Sequence, residues 1–344
     1  MQCIGLNSQY ESTREARLPT VTLWLPIVIV LGLFAGLRSP ESSADYLNYK
    51  YWIDSVAQSG GLGLKSFVSK APAFEFLGEH LVGHNGGLVL LMLVTALLSL
   101  LVQVWILESD DYKGLIGFGL MFLIGRFFLV HEFTQVRAAL AISLATLGLI
   151  FCLQGNWLRG SAIFLLGVFT HISVLALVPL FAVVVNLSPG RMWVKIVIAC
   201  IGALALAVFV VDLDVFSMIA ARMAPYLTGQ YDVTKTRLLS VYFVAKVVIL
   251  FLMGMQWRSL NKSLRLAFIA SAYGMMLSVV FYRNDVLSLR LSELVSIFDC
   301  ICFAYVFRLW WSREQVLATL MAVMVASEFY FSATKIVHGY SIVL

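Results

Sequence analysis

Arg137 stands in the segment His131-Glu132-Phe133-Thr134-Gln135-Val136-Arg137, directly before a long apolar run. The planar guanidinium fork can meet two phosphate oxygens at once. The same position equally suits an interfacial anchor, with Gln135 beside it. Arg290 opens another apolar run and is followed by Glu293, so the two share one helix face. That spacing fits a self-neutralised pair or a second cationic phosphate contact, and Arg283 lies in the preceding turn. His171 is a lone histidine in an apolar stretch. Its imidazole suits a structural hydrogen bond, a proton carrier, or a contact to a sugar or phosphate oxygen. Asp45 is a candidate base or sugar contact, and Glu75 is a second carboxylate in the same polar stretch. Tyr46, Tyr49 and Tyr51 offer faces on which sugars stack, although tyrosine also marks membrane interfaces. Arg126 and Glu328 each fall near the end of an apolar run and either line a shared cavity or reach an interface. Lys246 and Asp299 lie deep inside such runs, where a charge is costly unless paired, and equal depth predicts a structural ion pair between them.

The elements that must hold these groups are membrane helices. The chain has 344 residues, of which 61% are hydrophobic and 12% charged. Soluble domains carry about 25% charged residues, so lipid must cover much of this surface. Apolar runs fall at 19–37, 87–107, 114–130, 138–153, 161–187, 193–211, 238–256, 265–282, 288–307 and 314–332. The longest polar interruptions are 38–86 and 212–237. The expected fold is all-α: a polytopic transmembrane bundle of about 10–12 helices, one integral membrane domain over 1–344, with helical outer loops. The net charge of +5 reads as membrane topology and not as nucleic-acid binding. Cys152, Cys200, Cys300 and Cys302 lie in apolar segments and read as small buried residues, with no disulfide or metal framework. Arg14 and Arg17 precede the run 18–37, which is longer than the apolar core of a signal peptide, and reads as an uncleaved first helix with a cytoplasmic N-terminus.

The run 161–187 decides the topology. Taken as one helix, it places Arg191, Lys195, Arg258, Lys262 and Arg265 outside, against the positive-inside tendency. Broken near Thr170 and His171, it returns those residues to the cytoplasm with Arg308 and Arg313. Two short segments are tolerated where protein or a polar cavity covers the freed backbone groups. The broken form also brings the loop 38–86, the turn 131–137, His171, the loop 212–237 and the turn 283–290 to one outer side.

Four segments, in this order, resemble the EpsG-like family of bacterial polysaccharide polymerases. Asp45-Tyr46-Leu47-Asn48-Tyr49 resembles its Asp-Tyr-x-Asn-Tyr element, and Ala71-Pro72-Ala73-Phe74-Glu75-Phe76-Leu77 its acidic-Pro-Gly-aromatic-x-x-Leu element. Gln135-Val136-Arg137-Ala138-Ala139-Leu140-Ala141 resembles Gln-x-Arg-x-x-Leu-Ala, and Phe169-Thr170-His171-Ile172-Ser173-Val174-Leu175 resembles Phe-x-His-x-Ser-x-Leu. Arg290-Leu291 is similar to a late Arg-Leu at a span start. The third and fourth elements are the most specific. Ala71 stands where the family has a carboxylate, Ala73 where it often has glycine, and Glu293-Leu294 where an aromatic pair is common.

The resemblance implies a GT-C-like, metal-independent glycosyltransferase of the O-antigen polymerase (Wzy) kind in the bacterial inner membrane. Its partners would be undecaprenyl-diphosphate-linked oligosaccharide, membrane lipid and a chain-length regulator protein, with no cofactor. It would transfer a growing glycan from undecaprenyl diphosphate to the non-reducing end of a new lipid-linked repeat unit, on the periplasmic face. Arg137 and Arg290, with Arg283 in reserve, would stabilise the departing diphosphate. Asp45, then His171, would be the base. Gln135, Tyr46, Tyr49, Glu75 and Arg126 would bind substrate. The rival readings are an O-antigen ligase, a flippase or transporter of lipid-linked oligosaccharide, and, on His171 alone, a membrane acyltransferase.

Overall fold

The computed structural model describes residues 21–39, 44–58, 72–82, 87–112, 114–187, 241–282 and 285–310, with isolated positions at 315 and 319. The loop 212–237, the run 193–211, most of 314–332, Arg283 and Glu328 fall outside the described residues. Among those described, every regular element is helical: α1 (Val21–Gly36), α2 (Ala44–Gln58), α3 (Pro72–Val82) and α4 (Gly87–Glu108). Then come α5 (Ile116–His131), α6 (Val136–Leu153), α7 (Trp157–Thr170) and α8 (Pro179–Leu187). The last four are α9 (Val241–Met255), α10 (Lys262–Val280), α11 (Asp285–Glu293) and α12 (Ser296–Trp310). The helices α4, α6 and α10 are long and apolar enough to cross a membrane, and the apolar parts of α1, α5, α7 and α9 are shorter. At 1.5 Å per residue α4 is about 33 Å long, enough for the hydrocarbon core of about 30 Å.

Small residues draw the helices together, as expected where lipid removes the hydrophobic drive between spans. α6 and α7 form a hairpin turned at Gly155, which adopts φ 92°, a left-handed conformation that closes a helix without a Cβ penalty. A Cβ on Gly160 would fall 2.6 Å from the Gly148 carbonyl oxygen, and one on Gly167 would fall 2.9 Å from that of Ala141. In the same way Gly32 and Gly36 of α1 admit Leu97 and Leu93 of α4.

The break predicted in 161–187 is present. α7 ends at Thr170, His171 is extended (φ −156°, ψ 117°), a 3-10 turn covers Ile172–Leu177, and α8 follows from Pro179. The run 288–307 differs from expectation: it is not one helix but α11 and α12, parted at Leu294 and Val295. Gly274 of α10 explains the seat of this turn, because a Cβ there would collide with Val295 and crowd the Ser292 carbonyl. Within α5, residues Leu123–Phe127 form a π-helical turn that no sequence pattern announced.

Two clusters of buried polar groups tie the helices together. Gln103 donates to Glu132 Oε1 at 2.6 Å, and Ser99 donates to the same oxygen at 3.1 Å. Ser143 completes this cluster, 3.1 Å from Ser99, so the turn after α5 is tied to α4 and α6. Lys246 of α9 and Asp299 of α12 form the expected ion pair at 2.8 Å, both almost fully buried. Tyr242 and Ser271 donate to the same carboxylate, which gives its oxygens the partners a buried charge requires.

Candidate functional site

The end of the bundle where α1 and α7 finish and α4 and α6 begin carries α2 and α3. Phe74 of α3 is fully buried and packs with Leu91 of α4. Tyr49 and Trp52 of α2 lie against its ring at 5.8 and 5.5 Å. Tyr46, one turn earlier on the same face of α2, packs with Met92 and Val136. The polar stretch is thus pinned by aromatic residues to the start of α6.

Arg137 lies on this aromatic floor. Its guanidinium carbon is 6.0 Å from the centre of the Tyr49 ring and 5.9 Å from that of Phe74. It is half-buried, its Nε has no hydrogen-bond partner, and among the described residues no carboxylate pairs with it. A guanidinium held by rings and unpaired with carboxylate keeps its donors for an anion. It also stands in the first turn of α6, where the N-terminal end of the helix dipole favours negative charge.

A second guanidinium stands beside it, and sequence reasoning missed it. Arg38 follows α1 and is completely buried, between the rings of Tyr46 at 5.6 Å and Phe133 at 5.2 Å. It donates to the Ala35 carbonyl and to the Met92 sulfur. An arginine abutting the end of an apolar run reads as an interface anchor, so nothing in the sequence singled it out. Burial pushes the Tyr49 phenol above its ordinary value, opposed by the Arg137 charge, while Asp45 raises it further. Tyr46 is raised by burial and opposed by Arg38. Asp45, both tyrosines and both arginines therefore share one electrostatic neighbourhood. Asp45 is half-buried and accepts a hydrogen bond from the Asn48 amide at 3.4 Å. Glu75 is buried on α3 next to Phe74. Gln135 precedes α6, and its side chain makes no capping bond there.

His171 reaches the same level by helix register. Gly167 of α7 touches Ala141 of antiparallel α6; toward the same end, Arg137 stands one turn before Ala141 and His171 just past the end of α7. The Ser173 N–H donates to His171 Nδ1 at 3.2 Å, and the Ser173 hydroxyl lies 2.9 Å from that nitrogen. In the neutral ring the proton then sits on Nε2, so the imidazole caps the 3-10 turn and offers Nε2–H as a donor.

Arg126 and Arg290 belong to a second group. Arg126, on the π turn, has its guanidinium carbon 4.9 Å from the centre of the Tyr242 ring and 5.6 Å from that of Phe127. Arg290 is exposed on α11. Both act electrostatically on Glu293, which is buried. His131, buried against Phe127 with ring centres 5.7 Å apart, joins this group and was also missed.

The model of the EpsG family matches the chain over residues 21–343. No curated protein matches the chain, and no solved structure does.

Proposed function

The chain belongs to the EpsG family, a group of polysaccharide-polymerase-like membrane proteins, and from that premise we propose that it is a polymerase of the O-antigen type. It transfers a growing glycan from undecaprenyl diphosphate to the non-reducing end of a new lipid-linked repeat unit. The reaction takes place at the periplasmic face of the bacterial inner membrane. The observation that carries this reading is Arg137, lodged on Tyr49 and Phe74 without a carboxylate partner among the described residues.

In the transfer, the acceptor hydroxyl oxygen bonds to the anomeric carbon of the donor glycan as the bond from that carbon to the diphosphate oxygen breaks. The diphosphate leaves with an added negative charge, and the acceptor proton must go to a base. Arg137 meets the developing charge through two parallel N–H bonds, in a site partly shielded from water. Arg38, buried behind Tyr46, adds positive potential without touching substrate. Asp45 takes the proton. Tyr46 and Tyr49 stay protonated and orient sugar hydroxyls with Gln135, while His171 donates Nε2–H to an oxygen of the donor. Arg137 and not Arg290 carries the diphosphate, because Arg290 has the carboxyl of Glu293 one turn away on its own helix, while no carboxylate pairs with Arg137 among the described residues.

A strain lacking the gene tests the reaction class. Surface glycan reduced to single attached repeat units is the expected phenotype. Full-length polymer left unattached would mean a ligase, and repeat units trapped on the cytoplasmic side would mean a flippase.

A further inference from the structure

We propose that His131 and Arg126 form a subsite for a hydroxyl-bearing sugar ring of the acceptor glycan. It lies across the 131–135 turn from Arg137. This inference rests on the polymerase reading and assigns to it a place for the second substrate.

His131 is 3% exposed, and neither ring nitrogen has a hydrogen-bond partner among the described residues. Buried imidazoles are normally bonded through at least one nitrogen. One faces the Phe127 ring here and leaves both nitrogens for a polar guest. Arg126 is half-buried, more accessible than His131, and is held over Tyr242. The Tyr242 hydroxyl is already committed to Asp299, so Tyr242 fixes Arg126 and does not compete for the guest.

The charge balance selects the chemistry of that guest. Glu293 stands one turn from Arg290 on α11, is buried, and lies within electrostatic reach of Arg126, so the group includes a carboxyl as well as cations. A guanidinium and an imidazole with a carboxyl nearby suit hydroxyls, which both donate and accept, whereas Arg137, with Arg38 close by and no carboxylate paired to it among the described residues, suits a phosphate. Arg126 lies on the π turn Leu123–Phe127; such turns re-aim side chains and recur at functional sites.

Position supplies the last link. Phe133, two residues after His131, stacks on Arg38, and Arg137 opens α6. Five residues of chain part His131 from Arg137, a span of at most about 20 Å. One short turn, anchored through Glu132 to Gln103 and Ser99, therefore holds a diphosphate contact on one flank and a hydroxyl contact on the other. A transferase that joins two glycans needs that arrangement.

The test uses purified full-length protein and two substrates. Lipid-linked repeat units isolated from producing cells are the donor. The same unit freed from its carrier by mild acid has no diphosphate, so it can accept and cannot donate. His131→Phe keeps the ring and its contact with Phe127 while removing both nitrogens. It should raise KM for the freed unit about tenfold, the loss of one good hydrogen bond, with KM for the lipid-linked donor changed by less than about twofold. His131→Asn restores a donor and an acceptor and should recover most of the difference. Arg126→Gln should also raise the acceptor KM selectively, and it decides the matter if His131→Phe does not accumulate.

An acceptor KM unchanged in these variants, or both KM values rising together, overturns the subsite and leaves the polymerase reading intact. A wild-type protein that forms no glycosidic bond removes the polymerase reading, and the subsite with it.

Discussion

Replacing Arg137 by lysine separates charge from geometry. The guanidinium lies about 6 Å from two ring centres and has no carboxylate partner among the described residues. Its proposed task is to hold two phosphate oxygens in parallel. Lysine keeps the positive charge but offers a point of contact, so one of two charge-assisted hydrogen bonds is lost, about 1.5–3 kcal/mol. Applied to the transition state, that is roughly a 10- to 150-fold slower transfer. Alanine removes both bonds and the charge, so about 3–6 kcal/mol and a loss of roughly two to four orders of magnitude are expected. Cation–π contacts at this distance contribute about 0.5–1 kcal/mol each at a partly exposed site, so both variants should still fold. The assay is the rate of ladder growth from purified lipid-linked repeat units, scaled to monodisperse protein in detergent. A lysine variant within about twofold of wild type would refute the two-pronged diphosphate contact. Equal losses in lysine and alanine, tracking a fall in Tm, would trace the effect to packing.

Other outcomes follow from the same geometry. Lys246→Met should destabilise the protein by about 3–5 kcal/mol, because it leaves the buried Asp299 charge uncompensated; exchanging the two residues should restore much of the Tm loss, and an exchange no better than either single change would contradict pairing. Gly160→Val drives a side chain into the Gly148 carbonyl and Cys152 and should cost about 1–3 kcal/mol, read as a lower Tm in detergent. His171→Ala removes the cap on Ser173 N–H and should cost about 1 kcal/mol, with His171→Asn retaining more stability and more activity than alanine. Cysteine at Asn48, exposed on α2, should react with an impermeant maleimide in intact spheroplasts, and cysteine at Asn156, in the exposed α6–α7 turn, only after lysis; the reverse pattern would invert the proposed orientation.

The helical bundle was readable because long apolar runs leave few alternatives in lipid. The break at His171 was readable from charge placement alone: only a broken 161–187 run kept the basic turns on one side. The Lys246–Asp299 pair emerged from depth, although the depth reasoning assumed one helix over 288–307. α12 begins at Ser296, so Asp299 stands in its first turn and still meets Lys246. The split into α11 and α12 was invisible because the cause lies elsewhere in the chain, at Gly274 of α10. The π turn in α5 leaves no periodic signature over so few residues. In the candidate site, the segments that the sequence singled out around Asp45, Glu75 and Arg137 do converge, on α2, α3 and α6. Arg38 and His131 were passed over because a cation or imidazole next to an apolar run looks the same from sequence whether it anchors at an interface or turns inward. For His171 the sequence left a proton carrier and a hydrogen bond to a sugar or phosphate oxygen open, and the bond from the Ser173 N–H to Nδ1 favours the second.

The most direct test is reconstitution of the purified protein in lipid with undecaprenyl-diphosphate-linked repeat units as the sole substrate. A ladder of lengthening glycan, with one undecaprenyl diphosphate released for each new glycosidic bond and none from the Arg137→Ala variant, is the expected result. Binding or translocation of the repeat units with no new glycosidic bond would contradict it.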